Sequence, residues 1–478
     1  MANIIKNPRN GCALHGALQT VQEIQGVVPV VHANASCGVI NYLANSKTSG
    51  GNPRFSGYST PGTAAQERHV IFGGASRLRE QIKNTVKVVD GSLYIILNSC
   101  ESAMVGDDVD AMTREIVEQG EPVVDTLIAG FNGSAYYGYE HVLADIFKSV
   151  YELKKNEGEK NPRLVNIFGI IPQKDPYWQG NLEEITRILN GVGLETNIFF
   201  GADGGTEDIE NARNAALSIT FGRWGELPAK VLNEKFEIPV IQRAALPINA
   251  DDERALIEGI EEYITIDQET KEHFLEKEQK YELNYWSRVR DEIIENDLGR
   301  TVAIVGEEEH VIRLGKLVQE VFGAEVVAAV LTDALKKDEE HTLDNGEVLN
   351  SIAKNIYKTS DQKDINDIIR QSKAELVIGS SLEQHVADKH GIPLVEASYP
   401  VYHKTILNHS SIGVRGIVGV IAEYITAVKQ ADKEKEEKLQ NKLKEFKGQN
   451  VWQEHSYKKS HNVKQVGLVS QGAVRESI

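Results

Sequence analysis

Cysteine is scarce in this chain of 478 residues: there are 3, too few for a disulfide framework. With 41% hydrophobic residues, a chain of this length can bury several cores without covalent staples. Long apolar runs are missing as well. No window approaches the roughly 18 uninterrupted apolar residues of a membrane span, and the polar Asn7-Pro8-Arg9-Asn10 stretch follows Met1 too closely to leave a leader's apolar centre. A cytoplasmic protein with no membrane partner is expected. Positive charge is in deficit, with 52 Lys and Arg against 70 Asp and Glu and a formal net charge of −18. That sign opposes steering towards nucleic acid and leaves counterion release nothing to work with. Small molecules and proteins remain as partners.

Short β-branched runs recur, each bounded by Gly, Asn or Pro and followed by a stretch of helical period. They include Val27-Val31, Leu93-Leu97, Leu164-Ile171, Thr196-Phe200, Leu217-Phe221, Pro239-Gln242, Thr301-Val305, Glu325-Leu331, Glu375-Ile378 and Pro393-Glu396. Strands this short and uniformly apolar suit parallel sheets covered by helices on both faces. Ten of them exceed one open sheet. The expected fold is α/β, with three doubly wound (Rossmann-like) parallel-sheet domains over residues 1–155, 156–285 and 286–428. A charged tail, helical and then extended, follows over 429–478. The stretch from Asp267 to Asp297 reads as a long exposed helix. The tail carries 11 basic against 7 acidic residues, so the body is more acidic than the whole. It is expected to loosen after Gly448 and suits either a fraying helix or a strap on a partner subunit.

All three cysteines fall in the first fifth of the chain. Cys12 sits in a glycine-flanked turn at a helix start, and Cys37 and Cys100 follow the buried runs Val27-Val31 and Leu93-Leu97, so all three are expected in turns. In a parallel sheet the carboxyl ends of the strands share one edge, where distant residues can converge. Thiolates near helix starts are stabilised by free N–H groups, and soft sulfur ligands in a reducing compartment suit an iron-sulfur cluster. Such a cluster usually takes four ligands. The fourth is then another residue type, an open position, or a second subunit.

The motifs also resemble a known family. Asn7-Pro8 before Gly11-Cys12-Ala13 and Gly16-Ala17, then His32 and Cys37-Gly38, then Phe72-Gly73-Gly74, then Ser99-Cys100 and Val105-Gly106-Asp107-Asp108, resemble nitrogenase component 1 (molybdenum-iron protein-like) sequences in order and spacing. The likeness continues through Gly130-Phe131-Asn132-Gly133-Ser134, Pro176-Tyr177-Trp178-Gln179-Gly180-Asn181-Leu182 and Ser398-Tyr399-Pro400-Val401-Tyr402. It implies that Cys12, Cys37 and Cys100 are this chain's ligands to an iron-sulfur cluster shared with a partner subunit, an [8Fe-7S] P-cluster or a [4Fe-4S] cluster. The segment Leu217-Ser218-Ile219-Thr220-Phe221-Gly222-Arg223 lacks the cysteine that holds the catalytic cofactor in the family's other subunit type. The resemblance therefore implies a β-type subunit, not catalytic alone, that pairs with an α-type subunit as α2β2 and receives electrons from an ATP-dependent iron-sulfur reductase. Two departures, Leu14 where β-type nitrogenases have Pro and Gly130 where they have a Ser ligand, favour a nitrogenase-like reductase, with a methylthio-alkane reductase among the options. A scaffold subunit for metallocofactor assembly and a non-redox α/β binding protein are the alternatives.

Other residues read more plainly. Gly106-Asp107-Asp108 is expected to cap the helix that follows, and His32 to hydrogen-bond near the site without ligating it. Glu101 and Ser102 are candidates for tuning the cluster. The Gly50-Gly51-Asn52-Pro53 and Gly201-Ala202-Asp203-Gly204-Gly205 loops lack phosphate-binding spacing. Gly306-Glu307-Glu308-Glu309-His310 follows a strand where a dinucleotide fingerprint would sit, but three carboxylates there would repel a pyrophosphate. His403 and His409 are expected to have ordinary hydrogen-bonding roles.

Overall fold

The structure is a computed structural model that describes residues 8–45, 60–153, 158–333 and 341–472. The Gly50-Gly51-Asn52-Pro53 loop and the boundary expected at residue 155 lie outside the described residues. Among the described residues, twelve strands form three sheets, and every strand pair is parallel. The first holds β1 (Val27–His32), β2 (Leu93–Asn98) and β3 (Val123–Thr126) in the order β1-β2-β3. The second holds β4 (Asn161–Phe168), β5 (Glu195–Asn197), β6 (Ala215–Phe221) and β7 (Val240–Arg243) in the order β5-β4-β6-β7. The third holds β8 (Thr301–Gly306), β9 (Glu325–Leu331), β10 (Ile356–Lys358), β11 (Leu376–Gly379) and β12 (Leu394–Glu396) in the order β10-β9-β8-β11-β12. In the second and third sheets the order reverses beside β4 and β8, so the carboxyl ends of these two strands lie at switch points.

Burial on both faces explains the apolar runs. On one face of the first sheet, Val28, Val30, Tyr94 and Ile96 pack with Leu78, Ile82, Val109 and Ile116 of two covering helices. On the other, Val31, Leu93, Ile95 and Leu97 join Leu14, Leu18, Tyr139 and Leu143 of the helices Ala13–Gln22 and Ala135–Leu153. Those two helices meet at glycines: a Cβ on Gly138 would stand 2.0 Å from the Ala13 carbonyl oxygen. This contact fixes the helix that follows Cys12 against the sheet.

Two strands, β3 and β10, are additional to the ten expected runs. Only the start of Thr196-Phe200 is strand; Phe199 and Phe200 leave the sheet and fill the core instead. The long acidic helix spans Gln268–Glu295, and the Asp267 carboxylate accepts from the Thr270 N–H at 2.8 Å. The chain divides into one compact unit, Met1–Ile425, and a second, Thr426–Ile478. Loosening after Gly448 is corrected by the structure: one helix runs from Gly413 to Gly472, and no proline interrupts the tail. Among the described residues no helix is long and apolar enough to cross a membrane.

Candidate functional site

Cys12 occupies the N-cap position of the helix Ala13–Gln22 in extended conformation, before the run of free N–H groups. The strand-like approach is fixed from both sides, because Ala13 N–H donates to the Gly133 carbonyl at 3.0 Å and Ala135 N–H to the Gly11 carbonyl at 2.9 Å. Cys37 and Cys100 depart from the expectation of turns. Cys37 is the third residue of the helix Ala35–Asn45, and Cys100 opens the helix Cys100–Val105 directly after β2. The chain turns into helix this early because a polar cap, Asn34 or Ser99, stands directly before each helix. Asn34 Oδ1 accepts from Ser36 N–H at 2.9 Å, and Ser99 Oγ accepts from Ser102 N–H at 3.3 Å.

Gly130 marks where the sulfurs meet. A Cβ at this position would stand 2.9 Å from Cys100 Sγ and 3.0 Å from Cys12 Sγ, so only glycine leaves both sulfurs in place. His15, one turn along from Cys12, joins the third cysteine to the group: its Nδ1 is 3.2 Å from Cys12 Sγ and its Nε2 is 3.3 Å from the Cys37 carbonyl oxygen. Burial raises the Cys12 thiol, but hydrogen bonding and charge from His15 outweigh it and hold Cys12 below its ordinary value. Cys37 is pushed up, first by burial and then by the charges of Cys12, Cys100 and Glu101. A Cys37 thiol held up by two neighbouring sulfurs suits a positively charged group close by. Lys174 is fully buried nearby, its ammonium 3.9 Å from the Tyr399 ring centroid, and burial lowers its pKa to about 7.

Around the cysteines, the expected helper residues divide their work. His32 ends β1 and is buried. Its Nδ1 is 3.1 Å from Thr63 Oγ1 and its Nε2 is 3.0 Å from Asp107 Oδ2. Asp107 Oδ1 accepts from the Gly74 N–H at 2.6 Å, so this carboxylate ties the Phe72-Gly73-Gly74 turn to β1. Asp108, not Asp107, caps the next helix, accepting from Ala111 N–H at 3.0 Å. Glu101 Oε2 accepts from Asn34 Nδ2 at 2.9 Å, which links the Cys37 and Cys100 helices, and Ser102 Oγ donates to the His32 carbonyl at 3.0 Å.

Residues 12–429 match the family described as nitrogenase component 1 type oxidoreductase. The chain belongs to that family. Among curated proteins it is 24% identical to the nitrogenase molybdenum-iron protein beta chain of Methanothermobacter marburgensis, over 87% of this chain and 93% of that one. It is 24% identical to a component of the light-independent protochlorophyllide reductase of Chlorobium limicola, over 84% of this chain and 73% of that one. A solved structure of nitrogenase Cp1 superposes with a TM-score of 0.73 at 18% identity, covering 90% of this chain and 94% of that one, which shows the shared fold.

In this nitrogenase component 1 type chain, two helices carrying cysteines and two neighbouring segments expose apolar side chains. Val39 and Ile40 come from the Cys37 helix, Ile71 and Phe72 from the helix Glu67–Phe72, Met104 from the Cys100 helix, and Phe131 from beside Gly130. Phe72 is 86% exposed. Among the described residues these side chains form exposed apolar surface on the elements of the first sheet's unit. His403 is exposed and pairs with Glu396 at 2.6 Å. Gly201, Ala202 and Asp203 line a cavity of about 390 Å³ with Trp178 and Phe200. His15 was not picked out from the sequence, and Gly130 was noted only as standing where β-type nitrogenases have a Ser ligand. The three-residue interval from Cys12 to His15 at a helix start was the available signal for His15; the contact of Gly130 with two sulfurs is tertiary and has no local signal.

Proposed function

We propose that this chain is the β-type subunit of a nitrogenase-like reductase, and that Cys12, Cys37 and Cys100 are its ligands to an iron-sulfur cluster shared with an α-type subunit. The observation that carries this reading is the approach of Cys12 and Cys100 to the one point that Gly130 leaves open, with Cys37 near enough to feel both charges. The residues fit such a group: three soft ligands at or near helix starts, and a glycine where any side chain would meet two of the sulfurs. A bound cluster supplies one-electron transfer. The chain's own residues then have distinct tasks. Cys12 accepts a hydrogen bond from His15, Asn34 and Glu101 hold two cysteine helices in register, and the apolar rim excludes water once a partner covers it.

Three sulfurs from one chain leave a cluster short of the usual ligand number, which supports completion by the partner. The proposed assembly is α2β2 in the cytoplasm, fed by an ATP-dependent iron-sulfur reductase. The cluster is an [8Fe-7S] P-cluster or a [4Fe-4S] cluster, and iron content separates the two. The test is anaerobic purification of wild type and Cys37→Ala with the partner chain. Lower iron in Cys37→Ala is expected; unchanged iron would remove the ligand assignment. A second reading, a scaffold subunit for cofactor assembly, draws support from 26% identity to the nitrogenase iron-molybdenum cofactor biosynthesis protein NifE of Clostridium pasteurianum, over 83% of each chain. Multiple-turnover electron delivery from the reductase to a substrate distinguishes the reductase from the scaffold.

A further inference from the structure

A second group of chemically capable side chains lies at the carboxyl ends of β4 and β8, the two strands beside which the sheet order reverses. Glu307 directly follows β8, Glu309 and His310 lie in the first turn of the helix Glu308–Phe322, and Asp175 comes from the segment after β4. All four are buried. One carboxylate oxygen from each glutamate and a ring nitrogen of His310 lie within 4.8 Å of one another.

Capping does not account for the arrangement. Glu307 stands at the N-cap position of its helix, yet its side chain makes no cap hydrogen bond. Among the described residues, the buried Glu307 Oε2 has no hydrogen-bond partner. His310 Nδ1 is 2.6 Å from Glu307 Oε1 and 3.4 Å from Glu309 Oε2, so the three side chains face one point. A buried carboxylate oxygen left unsatisfied there is costly unless something else occupies that point.

The other sides of the group are already fixed. His310 Nε2 is 3.3 Å from Asp175 Oδ1, and Asp175 is itself held by the Tyr177 N–H at 2.8 Å and by Asn181 Nδ2 at 2.6 Å. Glu309 Oε1 accepts from Arg313 Nε at 2.9 Å and from Leu246 N–H at 3.0 Å, which leaves Oε2 towards His310. An imidazole that donates one N–H to an anchored carboxylate presents its other nitrogen as a metal ligand. Three carboxylates, from Asp175, Glu307 and Glu309, outnumber the Arg313 guanidinium and the His310 imidazole, so the group carries an excess of negative charge.

We propose that Glu307, Glu309 and His310 bind one divalent transition-metal ion, with Asp175 positioning the imidazole. One nitrogen and two or more carboxylate oxygens suit Mn²⁺, Fe²⁺ or Zn²⁺, whereas all-oxygen sets suit Mg²⁺ and Ca²⁺. The ion joins the carboxyl end of β8 to the segment after β4, where Asp175 lies, and so works as a pin between two sheets. It requires none of the cysteines.

The test uses Mn²⁺, which thiolates bind poorly. Full-length protein is produced in medium supplemented with Mn²⁺, washed with chelator and analysed for manganese, with wild type, Cys37→Ala, Glu307→Gln and His310→Gln compared. About one Mn²⁺ per chain is expected in wild type and in Cys37→Ala, with at least a tenfold loss in both other variants. Added Mn²⁺ is expected to raise the Tm of wild type and not that of the isosteric Glu307→Gln. Manganese far below one per chain in wild type, or equal content in wild type and Glu307→Gln, overturns the proposal.

Discussion

Cys12 and His15 face each other across 3.2 Å, sulfur to Nδ1, while the far nitrogen of the same ring reaches the Cys37 backbone. One imidazole thus supports a sulfur and braces a second cysteine segment. Donors to cluster sulfurs raise a cluster's reduction potential. The His15→Ala variant is expected to keep most of its iron and to shift its midpoint potential in the negative direction, read by redox titration with electron paramagnetic resonance. An unchanged potential with full iron content removes this role from His15.

Gly130→Ala places a methyl group where two sulfurs already stand, at 2.9 and 3.0 Å. The strain costs about 1–3 kcal/mol, but the larger effect is on the site. Bound iron is expected to fall by at least half while the circular dichroism spectrum is retained. Full iron occupancy in the variant means that the sulfurs can move aside freely.

Asp107 is the junction between β1 and the Gly74 turn, and Asp107→Ala leaves His32 Nε2 and the Gly74 N–H without their acceptor. Two buried groups losing their partner cost about 3 kcal/mol together. Urea unfolding is expected to show that loss as a lower midpoint, with the Asp107→Asn variant intermediate because its side-chain oxygen still accepts from Gly74.

Glu253 provides a pH signature. It is buried, and although it accepts from Val414 N–H at 2.9 Å, burial raises its carboxyl from 4.5 to about 8. Between those values the folded chain holds a proton that the unfolded chain has released. Its contribution to stability is therefore full below about pH 4.5 and declines as the pH rises through about 8. The Glu253→Gln variant is expected to lose that decline, so its stability gains on wild type between pH 5 and 8, by on the order of 5 kcal/mol as an upper bound. Parallel profiles of Tm against pH for the two proteins contradict this.

Much of the fold can be read from apolar runs, because strands buried on both faces leave an unbroken signal, as at Leu93-Leu97. The strand Ile356–Lys358 escaped because it lies at a sheet edge with two of its three residues exposed. The cysteines could be picked out because they are few, and two of them, Cys37 and Cys100, follow strands. Their helical placement depended on the caps Asn34 and Ser99, which sequence spacing leaves ambiguous. Gly130 and the Asp175–His310 contact depend on residues far apart in the chain, 135 positions for the latter, so no local pattern reveals them.

The central claim is that Cys12, Cys37 and Cys100 hold an iron-sulfur cluster completed by a partner subunit. The most direct measurement is iron and acid-labile sulfide in the anaerobically co-purified complex, with electron paramagnetic resonance on oxidised and reduced samples. The account predicts a brown complex with about eight irons per subunit pair for a P-cluster or about four for a simpler cluster, beyond any iron in the partner's own cofactor. A colourless complex without acid-labile sulfide, or iron that persists when all three cysteines are replaced by Ala, would contradict it.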